Sequence, residues 1–163
     1  MYHDGKKYGL PDSCKVHSLS NIAGHLQAGE NCRIDAFVTI TGKVTLGANV
    51  HIATGSCLFG GHGIHIGDGV SISPGAKLFT ATEDMKANFP SNPQLKDRQF
   101  TSGSIVIGEN SVVGANSVVL PNVIIGKRVQ VGCLSLVNKN IADDSIAAGI
   151  PTKHFGSRKL KAA

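Results

Sequence analysis

Tryptophan is absent from the 163 residues, aromatic residues make up 5% and charged residues 17%. A charged fraction that small is low for the surface of a helical protein, and so few aromatics leave little on which nucleic-acid bases could stack. No apolar run approaches the roughly 18 to 20 residues needed to cross a bilayer, and the opening MYHDGKKYGL lacks the apolar centre of a signal peptide. The expectation is a cytoplasmic protein with neither membrane nor nucleic acid as partner. Cys14, Cys32, Cys57 and Cys133 form no CxxC pair and are too sparse for a disulfide scaffold, which excludes a zinc finger and points to reduced thiols. The net charge of +5 comes from scattered bases until the tail, where Lys153, Arg158, Lys159 and Lys161 gather. A small polyanion suits such a distribution better than a nucleic acid does.

Glycine, by contrast, is plentiful at 20 residues, and with abundant Ile, Val and Leu it indicates an all-β chain with many turns. The length fits one domain over residues 1–163. Aliphatic residues recur every six positions: Ile34, Ile40, Leu46, Ile52 and Leu58, then Ile66, Ile72 and Leu78, then Ile107, Val113, Val119, Ile125, Val131 and Val137. The position after each is often Gly, Ala or Asp, and the fourth after each is small or branched, as at Val38, Ser56, Ala76, Ser117 and Ser135. An alternating strand has period two and a helix 3.6, so neither explains a period of six. Short strands ending at turns that tolerate positive φ do explain it. Three such sides close a triangular coil, and successive coils hydrogen-bond about 4.8 Å apart with the aliphatic residues stacked inside.

Following the register locates a site. With Ile34 on a first side, Ile40 on a second and Leu46 on a third, the step from Leu58 to Ile66 is eight instead of six. The extra residues bulge from the corner between the second and third sides, at Gly60-Gly61-His62-Gly63. One coil later Leu78 is followed by Ile107, so an excursion over residues 80–104 leaves from that same corner. His62 and the excursion are expected to be neighbours. The excursion holds no hexad and contains Pro90, Asn92 and Pro93, as a capturing loop would. Residues 1–20 are expected to be a cap or irregular, 28–141 the coil, and 142–163 a C-terminal segment, either a short helix or a loose tail.

These hexads, the loop opening Phe79-Thr80-Ala81-Thr82-Glu83-Asp84, the run Val112-Val113-Gly114-Ala115-Asn116-Ser117-Val118-Val119-Leu120-Pro121 and the closing Ala148-Gly149-Ile150-Pro151-Thr152-Lys153 resemble the hexapeptide-repeat acyltransferases. The resemblance spans roughly residues 30 to 155 and takes in enzymes that acetylate galactosides, maltose and nucleotide-linked amino sugars. It implies a left-handed parallel β-helix, acetyl-CoA as co-substrate with no metal, a sugar or nucleotide-sugar acceptor, and a homotrimer with active sites between subunits. It also implies a CoA path beside the later coils, for which Gly114, Ala115, Gly132, Cys133, Asn138, Lys139, Pro151 and Lys153 are candidates. An extended pantetheine needs small side chains and exposed amides, and phosphates need cations.

The loop departs from the galactoside pattern, because Glu83 stands where those relatives carry a catalytic histidine, and Asp84 follows. A hydroxyl needs a good base when it attacks a thioester, and a carboxylate near its ordinary pKa of about 4 is a poor one. An amine is already nucleophilic and has only to shed a proton, which Glu83 or Asp84 can accept. The loop therefore favours N-acetylation, with Thr82 and Asn92 as acceptor-binding candidates. His62 on its glycine-rich bulge keeps O-acetylation open as the alternative, because an imidazole there could replace the missing base. Two other functions share such a prism. A zinc-dependent carbonic anhydrase needs three converging histidines, and none occurs between His65 and His154. A non-catalytic scaffold would have no use for a long loop with paired acids.

Overall fold

The computed structural model describes residues 1–84 and 100–158. Among them the only helical element is a single 3-10 turn at Gly5–Tyr8, and the rest of the regular structure is strand. The three sides of the prism are set out by the pairing. The first side is one continuous ladder from Lys15–His17 through Arg33–Ile34, His51–Ile52, Ser71–Ile72, Val112–Val113 and Gln130–Val131 to Ser145–Ala148. In the early coils the second and third sides are joined in long strands, Asn21–Ala28, Thr39–Leu46 and Cys57–Ile66. Later coils divide them, with Lys77–Phe79, Val118–Val119 and Leu136–Val137 on the second and Ile105–Ile107 and Ile124–Ile125 on the third.

All fourteen hexad aliphatics face inward, with no more than 3% of their surface exposed. Each stacks on its counterpart one coil away, as Ile40 does on Leu58, Leu58 on Leu78, Leu78 on Val119 and Val119 on Val137. Fully burying one such side chain contributes about 1.5–3 kcal/mol, so the column is the main source of cohesion. The small residues at the corners are buried too, and their hydroxyls are satisfied from rung to rung. Ser117 donates to the Gly132 carbonyl at 2.9 Å and accepts from the Ser135 amide at 3.2 Å, and Ser111 donates to Gly126 at 2.8 Å. Cys14 and Cys32 take corner positions, donating to the carbonyls of Gly29 and Gly47. Burial pushes the Cys32 thiol up to about 11.

Register offsets record where the coil is interrupted. Ile34 pairs with Ile52 and Ile107 with Ile125, eighteen positions on; Leu46 pairs with Ile66, twenty on; Ile66 pairs with Ile107, forty-one on. Both long steps leave from the corner between the second and third sides. The last coil is shorter than regular, with Ile125 bridging Ile141 and Val131 pairing with Ala147, sixteen on.

Two boundaries differ from expectation. The ladder begins at Lys15, well before residue 28, with Val16 on Ile34, Ile22 on Ile40 and Ala28 on Leu46. The period is weak there because this coil closes the prism: Ile22, Leu26 and Ala28 are only partly covered, and one inward slot holds alanine. Strand Tyr2–Asp4 caps its first side by pairing antiparallel to Lys15–His17. At the other end the chain after Pro151 is neither helix nor loose tail over the described residues. Lys153–Ser157 runs antiparallel to Ser145–Ala148 and covers the open edge of the first side. Arg128 grips Asp144 through two hydrogen bonds of 2.6 and 2.8 Å beneath it, holding the Asp144 carboxyl below its usual range. Lys159 and Lys161 lie outside the described residues.

Candidate functional site

The corner between the second and third sides is built by departures from the hexad. The long strands cross it at Gly42 and Gly60, and the register slips between Gly42 and Val44 to admit the bulge that carries His62. Directly above, Phe79 pairs with Phe59 and the two rings stack with centroids 5.2 Å apart. The next residue, Thr80, is buried and ties the layers together. Its hydroxyl donates to the Phe59 carbonyl at 2.6 Å and accepts from the His62 amide at 3.1 Å. The bulge and the root of the excursion are thus neighbours, as the spacing implied. The His62 side chain is exposed.

From Thr80 the chain leaves the coil as one leg of an antiparallel ribbon, Ala81–Glu83 against Phe100–Ser102, with Thr82 opposite Thr101 and Glu83 opposite Phe100. The return leg rejoins through Gly103, whose amide donates to the Thr80 carbonyl at 2.9 Å. Two cavities flank the ribbon where it lies against the second side. One, of about 290 Å³, is lined by Thr82, Glu83, Asp84, Thr101, Leu120, Pro121 and Asn138. The other, of about 390 Å³, is almost wholly apolar. Thr82, Glu83 and Leu120 contribute to both.

Of the expected residues, Thr82, Glu83, Asp84 and Asn138 are therefore brought to one cavity. Lys139, next in the chain, lines a separate cavity of about 360 Å³ with Lys153, His154, Thr152 and Ser145. That cavity presents two ammonium groups and hydroxyl donors, a set suited to phosphate. Gly114, Ala115, Gly132 and Cys133 lie elsewhere, at the corner between the first and second sides, so the strands Val118–Val119 and Leu136–Val137 separate them from the acids. Gly114 is also a packing requirement, because a Cβ there would fall 2.6 Å from the Cys133 amide nitrogen. Pro151 is exposed on the link to Lys153–Ser157, after a cis Ile150-Pro151 bond. Asn92 lies outside the described residues. The described residues hold no group of three His, Cys, Asp or Glu disposed to bind a metal, and none of their helices is long and apolar enough to cross a membrane.

Some residues escaped the sequence reading. Thr101 could not be found because it lies beyond a segment with no period, and only the ribbon register brings it opposite Thr82. Leu120 and Pro121 carried a signal, since they follow an inward valine at the same corner one coil beyond the excursion. A second polar cluster sits on the first side. Asp35 accepts from Arg33 at 2.7 Å and pairs with His51 at 2.8 Å, and Tyr2 donates to it. Burial alone would raise the Asp35 carboxyl, but the Tyr2, His51 and Arg33 hydrogen bonds outweigh it and hold it below its usual range. His51 faces outward as the hexad phase required, and Asp35 was legible as the one acid in a corner slot where later coils carry Ala, Ser or Gly.

Comparison with known proteins agrees with this architecture. The bacterial transferase hexapeptide (six repeats) family matches residues 29–60 and 104–139. A dTDP-4-amino-4,6-dideoxy-D-glucose acyltransferase of Escherichia coli is 28% identical over 162 residues, covering 96% of this chain and 82% of that protein. WbbJ of Escherichia coli (strain K12), provisionally named a lipopolysaccharide biosynthesis O-acetyl transferase, is 31% identical over 139 residues, covering 82% of this chain and 69% of its own length. Among solved structures, a point mutant of AntD, an N-acyltransferase from Bacillus cereus, in complex with dTDP and coenzyme A superposes with a TM-score of 0.91 at 28% identity, covering 97% of this chain and 91% of that one. The likeness makes the coil a left-handed parallel β-helix.

Proposed function

The chain belongs to the hexapeptide-repeat family of bacterial transferases, and from that premise we propose that it transfers an acetyl group from acetyl-CoA to the amine of a nucleotide-linked amino sugar. The observation that carries this reading is the single cavity where Thr82, Glu83, Asp84, Thr101 and Asn138 meet at the root of the excursion. It is supported by the likeness to two amino-sugar acyltransferases along nearly the whole chain, one of them crystallised with dTDP-4-amino-4,6-dideoxyglucose and coenzyme A.

The chemistry follows from the side chains. The acceptor nitrogen attacks the thioester carbonyl; an N–C bond forms as the C–S bond breaks, giving an amide and free CoA. Glu83 or Asp84, directly or through water, takes the proton that the nitrogen sheds and passes it on to the departing thiolate. Either acid also suits the acceptor's ammonium, while Thr82 and Asn92 orient the sugar hydroxyls. Lys139 and Lys153 counter the CoA phosphates, and Gly114, Ala115, Gly132, Cys133, Asn138 and Pro151 border the rest of its path. In this reading the chain works as a homotrimer in the cytoplasm, supplying sugars for surface polysaccharide. The exposed Phe37, Leu134 and Ile146 on the first side and its corner support association.

The second reading is acetylation of a sugar hydroxyl, favoured by the exposed His62 beside the ribbon root and by the likeness to WbbJ. Free-thiol release from acetyl-CoA, measured across nucleotide-linked 3- and 4-amino sugars, their hydroxyl counterparts and simple galactosides, separates the two. Turnover confined to amino sugars is the expected outcome; turnover confined to hydroxyl acceptors moves the base to His62, and none with any acceptor rejects both.

A further inference from the structure

The apolar cavity beside the acids has no task in acetyl transfer as described. Its floor is the outer face of the second side, formed by Phe79, Val118 and Leu120, and its roof is the ribbon, through Ala81, Thr82, Glu83 and Phe100. At about 390 Å³ it is larger than the adjoining polar cavity, about 290 Å³, and it shares Thr82, Glu83 and Leu120 with it. A group held at the shared wall can therefore face the acids at one end and the apolar space at the other. The methyl of an acetyl group would fill little of that space. A ligand cavity of this size and apolar lining selects a hydrocarbon moiety.

Resting on the acyl-transfer reading, we propose that this cavity is an acyl-chain pocket and that the preferred donor carries a chain longer than acetyl, of propionyl to butyryl size. The thioester carbonyl sits at the Glu83 wall, where the acceptor nitrogen reaches it from the polar cavity, and the chain lies over Val118 beneath Ala81. The two adjoining cavities then take the two substrates, the polar acceptor in the one that holds Asp84, Thr101 and Asn138 and the alkyl chain in the other. Ala81 and Val118 set the chain length. A larger residue at either position shortens the pocket, since both line it.

The test is kcat/KM for acetyl-, propionyl- and butyryl-CoA on the full chain, with dTDP-4-amino-4,6-dideoxyglucose as the acceptor probe and thiol release as the readout. Each added methylene that leaves water improves transition-state binding severalfold, so butyryl-CoA should exceed acetyl-CoA by about tenfold. Ala81→Leu and Val118→Phe should each lower kcat/KM for butyryl-CoA about tenfold relative to acetyl-CoA, with melting temperatures matching the parent chain showing that the variants fold. Use of acetyl-CoA with rejection of butyryl-CoA would overturn the pocket but leave acyl transfer intact. Variants that lower every donor equally would also overturn it. Failure of all donors would sink the acyl-transfer reading and the pocket together.

Discussion

The interior columns and the corner between the second and third sides obey different rules. In the columns every sixth residue performs the same task, each aliphatic stacks on another aliphatic, and no position is unique. At the corner the pattern fails twice in successive coils, and each failure projects backbone outward: first the Gly60–Gly63 bulge, then the ribbon that carries Thr82 and Glu83. A repeating core makes the backbone rigid, and at the interruptions a side chain is freed from packing. Thr80 joins the two regimes, since it is buried like a core residue but hydrogen-bonded to both interruptions.

The sharpest way to expose the contrast is to substitute in each region and read both activity and stability. Glu83→Gln or Asp84→Asn should lower turnover by about 10²- to 10⁴-fold, the usual worth of a positioned acid or base, and leave the melting temperature nearly unchanged. His62→Ala should be mild in both readouts. Inside the column, Leu58→Ala or Ile72→Ala removes a side chain with no exposed surface and should cost about 2–5 kcal/mol in denaturant unfolding. Gly114→Ala tests a smaller structural demand: its Cβ must displace the Cys133 amide nitrogen, an overpacking cost of about 1–3 kcal/mol. A rise in the KM for acetyl-CoA instead would assign Gly114 to the CoA path.

Two further measurements refine the account of the prism itself. The Asp35 carboxyl is held below its usual range by Tyr2, His51 and Arg33 despite the opposing effect of burial. Its contribution to stability is therefore present above the ordinary aspartate range near pH 4 and lost as the pH falls through the folded-state value. Asp35→Asn should lower the melting temperature at pH 7 and narrow the gap between pH 7 and pH 3; an unchanged gap would remove the cluster from the account. The smallest effect concerns the thiols. Cys32 is buried with its pKa raised to about 11, whereas Cys133 is exposed, so iodoacetamide at pH 8 should label Cys133 first and Cys32 only after unfolding.

The hexads made nearly the whole prism legible, down to which corner would carry both interruptions, because a six-residue period records inward-facing positions directly. It weakened at Ile22 and Ala28, where the end coil is partly uncovered and packing constrains the sequence less. The final strand Lys153–Ser157 was hidden because it pairs antiparallel and follows no hexad. Of the candidates the sequence singled out, Thr82, Glu83, Asp84 and, from the expected CoA path, Asn138 share a cavity, but Thr101 and the apolar space beneath Ala81 depend on how the ribbon lies over the second side. Those are matters of the third dimension, with no period to announce them.

The central claim is that carboxylates at this corner serve an amine and not a hydroxyl. It is tested most directly by the bond that the enzyme makes on an acceptor offering both groups. After incubation of acetyl-CoA with dTDP-4-amino-4,6-dideoxyglucose, the acylated product is treated with hydroxylamine and followed by mass spectrometry. The account predicts an amide that keeps its acetyl group; an acetyl group released as the hydroxamate reveals an ester and contradicts it.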